Sequence, residues 1–286
     1  MLTKLDHVTI AVLDVNAAAA SYQRLLGRAP IWRGTHPEVG TAAALFGLAN
    51  ALIELTGPFA DAPDAAETEA LRNLLQARGE GLQTLSFGTD DAARCTRELR
   101  ERGVRATSPQ EGQARSSDGA LRTYRLVELS PRATRALALS IVERSADLTA
   151  AAPDSAQAGV VQALDHVLIA SADLEQALVL YRDQLGLRLA LDTVVADARM
   201  LFFRVGGVTL EIVHDASRSE ADALMGLAYR VDELEAAHTR LRAEGVELSD
   251  IRAGKKPGTR VFTVRSGTHG VPTLLIHDPS RVRPAS

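Results

Sequence analysis

Residues 5–11 read Leu5-Asp6-His7-Val8-Thr9-Ile10-Ala11, and residues 164–170 read Leu164-Asp165-His166-Val167-Leu168-Ile169-Ala170. The phrase occurs twice, and the residues after each copy repeat as well. Under one constant shift His7 falls on His166, Asp14 on Asp173, Tyr22 on Tyr181, Leu26 on Leu185 and Gly27 on Gly186. Self-similarity of this kind decides the architecture before any local propensity does. Each phrase predicts a strand leading into a helix. In the first copy Asp14 or Asn16 can cap that helix by accepting its free first-turn amides, and Gly27 supplies the left-handed stop.

Outward from the first copy, strands are expected at Leu5–Val12, Pro30–Gly34, Thr41–Leu48 and Asn50–Thr56, giving the order β-α-β-β-β. A second module repeats it. It has a strand at Leu82–Gly88, a cap at Asp90 or Asp91, a helix through Cys95, Leu99 and Arg102 that stops at Gly103, and strands at Val104–Ser108, Leu121–Leu129 and Ala136–Glu143. Modules three and four occupy roughly Ala163–Val213 and Leu224–His277. Modules two and four match under one shift, with Thr84 on Gly226, Asp90 on Asp232, Leu99 on Leu241 and Gly103 on Gly245. Residues 145–162, rich in Ala, Ser and Asp, lack apolar periodicity and read as a linker. Residues 1–144 and 163–286 are therefore expected to form two domains. A looser stretch, Gly57–Glu80, joins the first two modules, with Glu67–Ala77 helical within it.

Composition narrows the class of protein. The 286 residues suffice for two domains with sizeable cores, and 46% hydrophobic with 24% charged residues is ordinary for a globular chain. A net charge of −4 gives no reason to expect nucleic acid. Cys95 is the lone cysteine, so neither a disulfide framework nor a thiolate zinc cluster is available. No apolar run approaches a membrane span, and no targeting segment precedes the first strand, so a cytoplasmic location is expected.

Four β-α-β-β-β modules, each half opening on Leu-Asp-His-Val, resemble the vicinal oxygen chelate superfamily. That group includes glyoxalase I, extradiol dioxygenases, fosfomycin-resistance proteins and bleomycin-binding proteins. The resemblance covers nearly the whole chain. The segment Arg33-Gly34-Thr35-His36-Pro37-Glu38-Val39-Gly40-Thr41 is similar to that of a glyoxalase-like subgroup. The fold implied is α+β: two cupped mixed β-sheet domains with helices outside. Fold alone does not determine chemistry, since the superfamily spans lyases, isomerases, dioxygenases and binders.

The resemblance implies one ligand from the first strand of a module and one from its last. His7 and Glu54 then stand in module one, and His166 and Glu211 in module three. Imidazole and carboxylate suit Fe²⁺, Mn²⁺, Zn²⁺ or Ni²⁺. The even modules depart from the pattern: Thr84 and Gly226 replace the second histidine, and Ser140 and Leu275 the second carboxylate. Each half is one ligand short of a two-histidine, one-carboxylate triad. Three arrangements remain open. His277, two places after Leu275, could complete a displaced metal triad with His166 and Glu211. Modules one and three could bring His7, Glu54, His166 and Glu211 together across a domain or homodimer interface. Or the residues pair with one another or with a substrate, without a tight metal. Glu54 and Glu211 lie between apolar neighbours, and an unpaired buried carboxylate is costly. The two His–Glu pairs are thus the leading candidates for catalysis.

Beyond these, the turn Lys255-Lys256-Pro257-Gly258-Thr259-Arg260 either receives an anion at the cup mouth through Lys256 and Arg260 or is a solvated hairpin. His36 can line the first cup beside Trp32 and Arg33, and His277 the second. A lyase, isomerase or dioxygenase acting on a small oxygenated molecule is expected. The alternative is a binding protein that sequesters a small ligand without turning it over.

Overall fold

The computed structural model describes residues 1–36, 39–59, 66–117, 119–144, 158–195, 197–218 and 221–281. Residues 145–157 of the expected linker, residues 60–65 of the looser stretch, and Pro37 and Glu38 beside His36 lie outside this set. The first half contains β1 (Lys4–Ala11), α1 (Val15–Leu26), β2 (Trp32–His36), β3 (Thr41–Gly47), β4 (Leu52–Pro58) and α2 (Ala66–Arg78). It continues with β5 (Gly81–Gly88), α3 (Ala92–Glu101), β6 (Gln110–Ser116), β7 (Leu121–Glu128) and β8 (Ala138–Arg144). The second half opens with β9 (Val161–Ser171), α4 (Leu174–Leu178, prolonged by a π-helical turn to Gln184), β10 (Arg188–Val195), β11 (Ala198–Val205) and β12 (Val208–His214). It closes with β13 (Ala223–Val231), α5 (Leu234–Ala243), β14 (Arg252–Ala253), β15 (Arg260–Val264), β16 (Thr273–His277) and a short 3₁₀ turn at Pro279–Arg281.

Each half is one mixed sheet of eight strands, an α+β architecture. In the first, β1 pairs in parallel with β4 and antiparallel with β5, and a short β2–β6 seam closes the sheet into a barrel. The second keeps the same order around the β9–β13 pair and stays open, with β10 and β14 at its edges. Modules therefore pair in sequence, one with two and three with four. That arrangement puts His7 and His166 on different sheets, so they do not share a site within the chain. The expected strand at Val104–Ser108 lies instead at Gln110–Ser116, with only an isolated bridge at Ala106. Val161 and Gln162, expected in the linker, begin β9.

Helix starts follow from local chemistry. Asp14 accepts from the Asn16 and Ala17 amides, Asp91 from Arg94 and Asp173 from Glu175 and Gln176, while Gly27 stops α1 at φ 71°. The helices cover the convex face of each sheet. There Leu5, Val8, Ile10, Ile53 and Leu85 of one half share a single apolar core with Leu164, Val167, Ile169, Leu210 and Leu227 of the other. Tyr22, Tyr181 and Tyr229 are wholly buried within it. Polar clasps ring this shared core. Asn50 exchanges two hydrogen bonds with the Leu164 backbone (2.8 and 3.0 Å), Arg135 meets Asp222 at 3.0 Å, and His269 meets Glu80 at 2.8 Å. No helix among the described residues is long and apolar enough to cross a membrane.

Candidate functional site

The concave faces carry the chemistry, and a bulge in each leading strand builds them. Along β1 the core-facing residues are Leu5, Val8 and Ile10, so two residues, not one, separate Leu5 from Val8. The register with β5 shifts between Leu5 and His7, which leaves Asp6 as the extra residue beside the imidazole. In β9 the core residues are Leu164, Val167 and Ile169, and the register with β13 shifts between Leu164 and His166. Asp165 and His166 are thereby presented together. The repeated Leu-Asp-His-Val is thus a bulge that pairs a carboxylate with an imidazole.

In the first cup His7 Nδ1 is 2.7 Å from Asp6 Oδ1, and Nε2 is 3.2 Å from Glu54 Oε2. Arg144, at the end of β8, donates to both Asp6 oxygens at 2.9 and 3.1 Å. Burial alone would raise the Asp6 pKa. The hydrogen bond and charge of His7, with the Arg144 guanidinium, outweigh it and hold the carboxyl far below the usual range. Both imidazole nitrogens therefore face carboxylates.

The second cup differs in the way that matters for proton transfer. His166 Nδ1 lies 3.0 Å from Asp165 Oδ2 and 3.6 Å from Glu211 Oε1. Its Nε2 has no hydrogen-bond partner among the described residues. Asp165 is held in turn by Arg281 Nη1 at 2.7 Å. Burial pushes Asp165 up, but His166, Arg281 and Arg230 outweigh it and its pKa is lowered. Glu211 moves the other way. Burial raises its pKa with Asp165 adding to the rise, against the opposing pull of His166, Lys255 and Arg204. The pKa values of the two carboxylates beside one imidazole are thus shifted in opposite directions, a pattern typical of acid–base centres.

That rise carries a testable sign. A folded-state pKa above the unfolded one gives stability present at low pH and lost as pH climbs through the folded value. Glu211→Gln keeps the neutral form at every pH. Its unfolding free energy relative to the unaltered protein is expected to improve from pH 4 toward pH 7, read by denaturant titration.

Strand register corrects two of the sequence-derived expectations. Ser86 of β5 lies opposite His7 and pairs with Ser140, whereas Ala228 of β13 lies opposite His166 and pairs with Leu274. The counterpart of Ser140 is therefore Leu274, one residue before Leu275. A one-residue slip in a strand exchanges its faces. Leu275 is wholly buried in the convex-side core, and His277, two places on, leaves the sheet on that same side and not toward His166. Arg260 shares the parity of the core residue Phe262 and reaches Glu235 of α5, so it too lies on the helix side. Lys256 binds Asp278 at 2.6 Å; Asp278 lies 3.8 Å from Arg281, the residue that holds Asp165, so Lys256 ends a charge chain leading to the second cup. His36 lies at the first cup, with Nδ1 3.2 Å from the Gln113 carbonyl and its ring 6.1 Å from Trp32.

The positions that would hold a divalent metal do not fit one. In the second cup the counterparts of His166 and Glu211 are Gly226 and Leu274, which carry no donor; a Cβ at Gly226 would fall 2.6 Å from the Pro272 carbonyl oxygen, and Leu274 packs with Ala228, Val261 and Ile276. In the first, Ser86 and Ser140 hydrogen-bond each other at 2.6 Å, and both nitrogens of His7 already face carboxylates. Among the described residues no three His, Cys, Asp or Glu side chains gather as a metal would require. Arg144 and Arg281 supply the positive charge instead. Asp6, Asp165 and these two arginines are the residues that sequence reasoning passed over.

Comparison with known proteins places this geometry. The sequence profile of the family described as "Glyoxalase-like domain" matches residues 5–161, and that described as "Glyoxalase/Bleomycin resistance protein/Dioxygenase superfamily" matches residues 163–283. A mutant of 4-hydroxymandelate synthase from Streptomyces coelicolor is similar with a TM-score of 0.70 and 17% identity, covering 96% of this chain and 92% of that one. The Mn(II)-bound glyoxalase from Novosphingobium aromaticivorans is similar with a TM-score of 0.67 and 15% identity, covering 96% and 82%. At such identities the likeness shows the fold. No curated protein sequence matches the chain.

Proposed function

The chain belongs to the glyoxalase/bleomycin resistance protein/dioxygenase superfamily, and from that premise we propose that its second cup is a proton-transfer site of isomerase or lyase type. The substrate is a small oxygenated acid with a carbon-bound proton next to a carbonyl. One observation carries this reading: His166 is oriented by Asp165 through Nδ1, leaves Nε2 without a partner among the described residues, and stands beside a glutamate whose pKa burial has raised. The Nδ1 contact fixes the tautomer whose Nε2 carries a lone pair.

His166 Nε2 takes the proton from carbon, and the electron pair moves onto the carbonyl oxygen as an enolate. Glu211 in its protonated form delivers a proton to that oxygen or to the adjacent carbon. Arg230, whose Nε is buried without an acceptor among the described residues, and Arg204, anchored on Thr209, bind the substrate's carboxylate and stabilise the developing charge. In the first cup both nitrogens of His7 face carboxylates, so it offers no equivalent base.

Solvent exchange tests this without knowledge of the natural substrate. Small 2-oxo acids are incubated with the protein in D₂O, and loss of the proton next to the carbonyl is followed by NMR. Catalysed exchange that depends on His166 is expected. The same acids raising thermal stability without any exchange would favour the sequestering alternative.

A further inference from the structure

We infer that the first cup is a separate binding site for a small organic monocarboxylate with an apolar or aromatic body, received by Arg122 lying on the face of Trp32. Arg122 projects from β7, and its guanidinium carbon sits over the indole, 5.0 Å from the ring centroid. It is half-buried, and no hydrogen bond or ion pair engages it among the described residues. A guanidinium resting on an aromatic face keeps its in-plane donors free, the geometry that grips a carboxylate with two parallel hydrogen bonds.

The surroundings make this a built feature. Trp32 is seated against Ala43, Leu45 and Leu52 on the concave face. Its Nε1 is buried and has no acceptor among the described residues, so a second donor in the same cup also lacks a partner there. Glycines make room for the rings along the seam that closes the barrel. A Cβ at Gly34 would fall 2.5 Å from Trp32 Cζ2, and one at Gly112 would fall 2.3 Å from Tyr124 Cε2. Trp32, His36 and Tyr124 follow one another at ring spacings of 6.1 and 6.4 Å, forming an aromatic wall.

Charge selects the ligand. Burial and the neighbouring Arg144 lower the Arg122 pKa, and Glu54 and Asp6 act on it from the cup floor. Arg144 is already engaged by Asp6, whereas Arg122 has no such partner among the described residues and can receive an anion. Two floor carboxylates would repel a dianion, whereas a single negative charge at Arg122 is balanced. A carboxylate with a planar apolar body meets the fork, the charge and the wall together.

Trp32 is the chain's single tryptophan, so its fluorescence reports this cup alone. Benzoate is titrated against the protein at constant ionic strength, with benzamide as the neutral isostere and sulfate as a simple anion. A saturable change with benzoate and none with benzamide or sulfate is expected. Arg122→Met should weaken benzoate at least about tenfold, the scale of one lost charge-assisted hydrogen bond. Arg122→Lys should recover part of the loss, and His166→Gln should leave binding unchanged. The thermal unfolding midpoint of each variant, rising with benzoate where it binds, gives a readout independent of fluorescence. No benzoate response in either readout would overturn the proposal, as would equal binding of benzamide or sulfate, unaltered affinity in Arg122→Met, or loss of binding in His166→Gln.

Discussion

Arg144→Met is expected to cost about 3–5 kcal/mol of folding stability at neutral pH, the scale for removing one partner of a buried ion pair. The Asp6 side chain is 4% exposed and that of Arg144 14%, and the guanidinium is the cation that meets both oxygens of this carboxylate. Without it Asp6 is charged and buried with His7 as its remaining hydrogen-bond partner among the described residues and Arg122 acting only through space. The sign of the pH dependence comes from the depressed pKa. Such a group contributes stability fully above its unfolded value, about 3.9, and loses it as pH falls through the folded one. The deficit of the variant should therefore stand at pH 7 and narrow in acid, below about pH 4. Removing both charges with Asp6→Asn and Arg144→Met should recover most of the loss, because what costs is the solitary buried charge. Denaturant unfolding of the single and double variants at both pH values measures all of this. A double variant as unstable as the single one would show that packing by the arginine stem, not charge, holds the cup.

His166→Gln is expected to lower catalysed solvent exchange about 10²–10⁴-fold, the usual contribution of a positioned acid–base group. Glutamine can still bond Asp165 and fill much of the imidazole's space, so the loss reports the base and not the fold. His7→Gln serves as the internal control. Since His7 has carboxylates at both nitrogens, its replacement should leave exchange within about twofold while affecting stability of the first cup. Equal losses in both variants would mean that the two cups act alike, against the assignment of proton transfer to the second.

Much of the molecule can be read from the repeat. The phrase around His7 and His166 locates both leading strands, the capped helices and the strand order, because apolar periodicity and helix caps are local. It also picks out Glu54 and Glu211, whose apolar neighbours left them nothing to do on a core-facing strand. The partners were less visible for physical reasons. Arg144 meets Asp6 from 138 residues away, and Arg281 meets Asp165 from 116. No spacing rule reaches so far. The bulges did leave a local trace. Leu5 and Val8, like Leu164 and Val167, are separated by two residues where a regular strand would allow one. Register was harder, since it is set by pairing rather than by any one strand. Taking Leu275 in place of Leu274 turns β16 over and sends His277 to the wrong face, while Arg260 is placed by the pairing of β15 with β16 rather than by the basic turn before it. The second module's expected strand at Val104–Ser108 is displaced for the same reason: Val104 is held in the convex-side core and pairing begins at Gln110.

The departure from the metal-chelating pattern of the family's resemblance is concentrated at four positions. Thr84, Ser140, Gly226 and Leu274 stand where further donors would have to be, and none offers a carboxylate or an imidazole. The charge that a cation would bring is supplied by arginines behind the aspartates. Metal content shows whether these arginines stand in for a cation. Untagged protein is purified without chelator, reconstituted in turn with Fe²⁺, Mn²⁺, Zn²⁺ and Ni²⁺, desalted and measured by inductively coupled plasma mass spectrometry, alongside His7→Ala and His166→Ala. No metal is expected to be retained near stoichiometry, and neither variant should change the content. Near-stoichiometric metal in the unaltered protein, lost in one of the two variants, would contradict it and mark that cup as a metal centre.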